Sequence, residues 1–377
     1  METGLRGGRY RPLSDDQIGR IHESALRILE EVGVRVKNKE ALEIFRSAGA
    51  RVDDAENLVR IRARTVERCL TTAPSRIVLC GRDPKHNITL EDSRVYMGTG
   101  GACLNVIDPE TGEPRSGTLN DIAQLARLVD KLENIHFFIR PCTAQDVPQE
   151  NLGVNEFYAS LANTTKHIMG TGYTREGVRD VLSMAETIAG DRKALREKPF
   201  ISFTVGWMNS PLTFDTELTN LLIDIVREGM PVALSSAPMA GATAPITMAG
   251  TLTQLHAEEL SGLVFCQLIN PGAPVLYGGI PGMADMHDLS YKAGGVEFGI
   301  MNAAISQLSN YIHVPNYCSA GLTEAKIPSM QAIYEKTFSI CQCALVGSNF
   351  IHHAAGVLES ILTTGYGQFV IDNEIIG

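Results

Sequence analysis

The stretch Leu119–Cys142, "LNDIAQLARLVDKLENIHFFIRPC", places a helical segment directly ahead of a short apolar strand, HFFIRPC. The same alternation recurs to the end of the chain. Apolar strands are predicted to begin near residues 136, 167, 199, 231, 274, 311 and 349, separated by helical patterns such as REGVRDVLSMAETIAG and DTELTNLLIDIVREGM. Starts spaced by about 30 to 45 residues match the repeat of one βα unit. Short strands, each running into a Gly/Pro/Asn-rich loop, favour an α/β fold of the closed (β/α)8 TIM-barrel type over an open doubly wound sheet. No G-x-G-x-x-G or P-loop sits at a strand-to-helix turn, which weakens a dinucleotide-binding alternative. A barrel needs eight strands and seven are counted here, so the eighth lies in the preceding segment or is missing.

Residues 1–118 read as an N-terminal α+β lead-in that packs on the barrel, and residues 119–377 as the barrel, C-terminally incomplete. Within the lead-in, RPLSDDQIGRIHESALRILEEVGVRV has Ser14 as N-cap, acidic residues in the first turn, apolar residues at helical spacing and Gly33 as a stop. The segments RVYMGTGG and LNVIDPETGEPRSG read as short strands, with Asp108-Pro-Glu-Thr-Gly112 as a hairpin turn.

Composition narrows the function. The chain has 377 residues, is 44% hydrophobic and carries 35 Gly, which suits a globular enzyme rather than a disordered or fibrous chain. A formal charge of −10 offers no basic stripe to release counterions, so nucleic acid is not an expected partner. The start lacks the apolar core of a signal peptide and no apolar run approaches a membrane span, so the expectation is a cytoplasmic protein with no membrane association. The eight cysteines are scattered through apolar contexts, as buried thiols in a reducing compartment would be. In Cys341-x-Cys343 a helical pattern turns the two thiols about 200° apart, a poor chelate, and no protein-held metal is expected.

In barrels of this kind the chemistry sits at the C-terminal ends of the strands. Reading those ends gives Tyr173, then Trp207 and Asn209, then Ser235 and Ser236, then Tyr277 beside Gly278 and Gly279, then Asn316, Tyr317 and Cys318. Aromatic rings among neutral amides and hydroxyls suit a quaternary ammonium, which ring faces hold at about 0.5–2 kcal/mol per contact. The alternative is that these rings cap the barrel as packing. The final strand, NFIHHAAGVLES, brings His352, His353 and Glu359. Adjacent strand residues face opposite sides, so at most one of the two histidines is predicted to enter the barrel, which undercuts a His–His metal pair. Glu359 falls at the strand's end or in the following loop. Lys166 precedes its strand and Lys326 lies in a loop or helix start, so no strand end carries a lysine for Schiff-base chemistry.

The segments LSDDQIGRIHESALRILEEVGVRV, VYMGTGGACLNVIDPETGEPRSGT, LYGGIPGMADM and VGSNFIHHAAGVLES together resemble the trimethylamine methyltransferase family over nearly the whole chain. The resemblance implies a barrel whose top face receives a methylated amine and then a corrinoid protein, to whose Co(I) the methyl group passes. No pyrrolysine is written in this sequence, and family members run longer. The nonpyrrolysine branch resembles it better, which implies a quaternary amine such as glycine betaine as substrate. Another methylated amine (carnitine, proline betaine, choline or a tertiary amine) is the alternative, as is a noncatalytic cation-binding protein. From the strand ends, the candidate catalytic residues are Tyr277, Asn316 and His353, with Tyr173, Trp207, Asn209, Gly278, Gly279, Tyr317 and Glu359 binding substrate. Tyr277 would wall the ammonium while Gly278 and Gly279 leave room for the corrinoid. No cofactor is expected on the chain itself, since the corrinoid (cobalamin) is carried by the partner. The family also implies a homo-oligomer.

Overall fold

The computed structural model describes residues 5–377. Eight parallel strands form a closed ring: β1 (Arg94–Thr99), β2 (Phe137–Ile139), β3 (His167–Gly170), β4 (Ile201–Val205), β5 (Val232–Leu234), β6 (Val275–Gly278), β7 (Asn316–Ser319) and β8 (Phe350–Ala355). The ring closes where β8 pairs with β1, Phe350 opposite Tyr96 and Ile351 opposite Met97. The eighth strand is therefore the one in the lead-in. RVYMGTGG, read as a short lead-in strand, is this barrel strand, and Gly98 is there for packing: a Cβ would lie 2.2 Å from the Phe137 ring. The barrel thus begins at Arg94, ahead of the boundary drawn at 118/119.

An N-terminal helix α1 (Asp15–Arg27) precedes the barrel, and a helix follows each strand. These are α2 (Leu119–Asp130), α3 (Leu152–Asn163), α4 (Arg175–Ala189), α5 (Thr216–Arg227), α6 (Met248–Ile269), α7 (Val296–Tyr311), α8 (Met330–Val346) and α9 (Tyr366–Ile376). Ser14 caps α1 as its sequence predicts: its Oγ accepts from Gln17 N at 3.3 Å, and Gln17 Oε1 accepts from Ser14 N at 2.8 Å. The predicted turn from Asp108 to Gly112 joins Asn105–Ile107 to Pro114–Ser116 in an antiparallel pair. One strand begins later than predicted. The apolar run near residue 311 belongs to the end of α7, and the chain reverses through His313 (φ 57°) before β7 starts at Asn316.

Alternation along each strand divides the core. Tyr96, Phe137, Ile139, Met169, Ala233, Leu276, Tyr317 and Phe350 point inward, while Phe138, Ile168, Phe203, Val232, Tyr277, Cys318 and Ile351 join the helix layer. The inward set is continuous with Ile77, Leu79, Ile88 and Leu90 from the hairpin Ile77–Leu79/Ile88–Leu90. Phe137 stacks on Phe350 with centroids 3.6 Å apart. Together these side chains plug the N-terminal end of the barrel. Among the described residues no helix is long and apolar enough to cross a membrane.

Candidate active site

The inward residues nearest the C-terminal end of β7 and β8 are Tyr317, Ser319 and His352. The Tyr317 hydroxyl is hydrogen-bonded to His352 Nδ1 at 2.5 Å, with the hydroxyls of Ser235 and Thr204 beside it. A β-bulge follows in β8, where His353 adopts φ 67° and the pairing register with β1 shifts. The bulge cancels the alternation, so the expectation that only one of the two histidines faces inward does not hold. The rings of His352 and His353 stack with centroids 3.5 Å apart and 19° between planes, and His353 Nδ1 is hydrogen-bonded to Ser319 Oγ at 2.7 Å. Burial, with Arg140 adding to it, pushes His352 down to about 3, and burial holds His353 well below the usual histidine range. Both rings are therefore neutral at physiological pH, and the buried His352 Nε2 has no hydrogen-bond partner.

Two ionisable groups stand at this end of the barrel on opposite sides. Arg140 follows β2; its Nε lies 2.5 Å from Glu156 Oε2 of α3, and its Nη2 donates to the hydroxyl of Tyr173 in the loop after β3. The guanidinium carbon also sits 5.4 Å from the Tyr173 ring centroid. Four strands away around the ring, Glu259 of α6 reaches between the ends of β5 and β6. One of its oxygens accepts from Ser236 N and the other from Gly278 N, each at 3.1 Å. Burial raises its carboxyl well above the ordinary range despite these two donors, and among the described residues it forms no ion pair.

Several residues expected at the mouth lie elsewhere. Tyr277 faces the helix layer because Leu276 and Gly278 take the inward positions; its hydroxyl is 2.6 Å from His256 Nδ1, and His256 Nε2 is 2.9 Å from His22 Nδ1 on α1. Asn316 starts β7 rather than ending it. Its Nδ2 donates to Ser306 Oγ at 2.6 Å and its Oδ1 accepts from Asn349 N at 2.5 Å, which pins strand to helix. Trp207 is fully buried against Gly262 of α6 and Phe214. Asn209 is exposed and donates to Asp215 Oδ2 at 3.1 Å. Gly278 and Gly279 leave no room for a ligand, since a Cβ would stand 1.7 Å from Tyr317 O and 2.6 Å from Ser236 O respectively. Glu359 is tied to the rim, accepting from Thr363 Oγ1 at 2.6 Å. Tyr173, Tyr317 and His353 are the expected residues that do converge at the mouth.

A family model described as trimethylamine methyltransferase (MTTB) matches residues 5–377. The chain belongs to this family. It is 37% identical over 362 residues to trimethylamine methyltransferase MttB of Desulfitobacterium hafniense (strain DSM 10664 / DCB-2), covering 96% of this chain and 73% of the relative. It is 33% identical to the glycine betaine methyltransferase of Desulfitobacterium hafniense (strain Y51), over 98% of this chain and 76% of the relative. It is 34% identical to trimethylamine methyltransferase MttB of Methanosarcina barkeri, over 99% and 76%. The chain is accordingly a methyltransferase. Relatives named for different amines are about equally similar to it, so overall identity does not select a substrate and the mouth must.

Within this methyltransferase, the residues that sequence reading missed are Arg140, Glu156 and Glu259, while His352 is named there without an assigned role. Two left a trace. Arg140 closes an otherwise apolar strand, and Glu258-Glu259 interrupts the apolar run of α6, TLTQLHAEELSGLVFCQLI, where an acid is costly unless it has a task. Among the described residues no cluster of His, Cys, Asp or Glu is arranged to hold a metal ion. All eight cysteines are free and only Cys341 is exposed. Lys166 is far from the mouth, its Nζ donating to the carbonyls of Val129, Leu132 and Ile135 beneath the barrel.

Proposed function

We propose that this methyltransferase moves a methyl group from a quaternary amine of the betaine class to Co(I) of a cognate corrinoid protein. The observation that carries this reading is the polarity of the mouth. A buried carboxyl stands at the ends of β5 and β6 and a guanidinium beyond the end of β2, on opposite sides of the eight-stranded ring. A zwitterion with a trimethylammonium at one end and a carboxylate at the other matches that polarity, whereas trimethylamine and choline have no anion to offer Arg140.

The chemistry agrees. When Co(I) attacks an N-methyl carbon, its electron pair forms the Co–C bond and the C–N pair stays on nitrogen. The departing tertiary amine is neutral and needs no proton. Neutral His352 and His353 are then adequate as shape and hydrogen-bonding groups, with Tyr317 and Tyr173 supplying ring surface. A tertiary amine would instead require protonation or capture, and both buried lysines are already engaged, Lys166 by carbonyls beneath the barrel and Lys336 by Asp372 and the carbonyls of Gly321 and Val357.

The test is methyl transfer to Co(I), followed by the corrinoid absorbance change, with glycine betaine, carnitine, proline betaine, choline and trimethylamine as donors. Carboxylate-bearing quaternary amines are expected to react, and Arg140→Met to raise their KM about tenfold or more. Turnover of choline or trimethylamine as fast as any betaine, with Arg140→Met affecting all donors alike, would sink the assignment.

A further inference from the structure

The ring of His352 leaves one nitrogen without a partner: Nε2 is buried and makes no hydrogen bond. An unpaired buried polar atom is costly, and folded proteins keep few of them. Its orientation is set by its neighbours. His352 is opposite Ser319 in the pairing of β8 with β7, so both enter the lumen in the last layer at its C-terminal end. Nδ1 meets the Tyr317 hydroxyl, one layer below, at 2.5 Å, and one face of the ring is covered by His353. The other edge lies over the end of β1, where a Cβ on Gly100 would collide with Cδ2 and Nε2. The ring takes the place of the side chain that this glycine lacks. On the far side of β1 is β2, and Arg140 follows it. The orphan nitrogen is therefore on the side of the ring toward the guanidinium, whose charge acts on the ring.

The place of the proton on this ring follows from Tyr317. Ser235 and Thr204 present hydroxyls to the phenol oxygen, and as donors they leave the phenol's own proton for His352 Nδ1. Nδ1 is then the acceptor of a neutral ring and Nε2 carries the hydrogen. We infer that His352 Nε2–H, held in that tautomer by Tyr317, is a second donor to the substrate's carboxylate, beside Arg140. This rests on the betaine reading above and adds a second contact to the same anion. Arg140 alone is a weakened anion site, because Glu156 stands 2.5 Å from its Nε and offsets its charge. A carboxylate that gives up its water there needs a further donor, and an amine with no anion leaves that donor unpaired. His352 thus contacts substrate, and Tyr317 is a positioning residue that acts through it.

Nitrogen NMR on the whole chain, isotopically labelled at histidine, reads the tautomer, with His352→Gln identifying the signals of this ring. A neutral Nε2–H ring is expected without substrate, and Tyr317→Phe is expected to turn it into a mixture of tautomers. The probe ligand is whichever of glycine betaine, carnitine and proline betaine binds most tightly, and the Nε2 resonance is expected to shift when it saturates the site. Calorimetric titration with that betaine gives the consequence. His352→Met is expected to raise its Kd about tenfold or more. His352→Gln, whose amide keeps an N–H near the place of Nε2, should recover most of that loss, and Tyr317→Phe should raise Kd by about threefold or more. An Nδ1–H tautomer in the unaltered chain, an Nε2 resonance that saturation does not move, or equal affinity in His352→Met overturns the second donor and leaves the betaine reading standing. If none of the three betaines binds the unaltered chain, that reading falls and the second donor falls with it.

Discussion

Glu259 is fully buried, accepts two backbone N–H groups and has a second acid, Glu258, as its neighbour on the helix. Its folded pKa lies above its unfolded value, so the folded state keeps the proton. The stability this confers is complete below the ordinary carboxylate pKa and is lost as pH rises through the raised value. A bound quaternary cation favours the ionised form, so affinity is expected to rise with pH over that same window. Glu259→Gln should weaken cation binding by roughly 1.4 kcal/mol or more, tenfold in Kd, and flatten its pH dependence; calorimetric titration at a series of pH values checks this, and an unchanged affinity would remove Glu259 from the site. Trp207 is the opposite case. Buried between strand and helix, it is expected on change to Leu to cost about 2–4 kcal/mol of stability through the cavity left behind, with substrate affinity unchanged. Thermal melts beside a binding isotherm separate the two effects. The aromatic residues themselves are plain in the sequence, but whether Tyr277 or Gly278 faces inward depends on a register of one residue, which no sequence pattern supplies for a strand buried on both faces.

Helices and strands were legible where pattern and punctuation agree. PVLYGG becomes β6 because an apolar run is bounded by Pro and Gly, and α1 starts where Ser14 caps it. Legibility failed at junctions. The β8 bulge at His353 depends on a positive φ in a residue that gives no warning of it, and β7 is displaced because α7 is apolar through Tyr311 and Ile312. At this scale the buried pair Lys336–Asp372 fastens α8 to α9, with Lys336 also donating to Val357 O at 3.1 Å and Asp372 accepting from Gly356 N at 2.7 Å. Burial lowers the lysine and raises the aspartate, each opposed by its partner. Lys336→Met alone is expected to cost about 3–5 kcal/mol by stranding Asp372, whereas Lys336→Met with Asp372→Leu should recover most of it. Denaturant unfolding of the single and double variants measures the coupling; equal losses in both would mean the pair does not act as a unit.

Across the whole molecule, burial holds His136 and His167 at about 4 and His352 at about 3. Their folded pKa values are depressed, so the stability they contribute is full above the ordinary histidine pKa and is lost as pH falls toward those values. Each is worth up to about 1.4 kcal/mol per pH unit. The melting temperature is therefore expected to fall progressively from about pH 6.5 downward, and a flat profile to about pH 5 would contradict the burial of these rings. The barrel itself was legible from the repeat spacing alone; its closure was not, because the strand that completes it precedes the repeat and is broken by glycine. The hairpin plug has a kinetic consequence. On the proposed transfer to a corrinoid protein, a vessel stoppered at the floor makes a small donor and a macromolecular acceptor share the C-terminal mouth and use it in turn. An acceptor that docks on an empty barrel shuts the donor out, so excess acceptor should inhibit competitively against the amine, and the demethylated product should be released only after the acceptor has withdrawn.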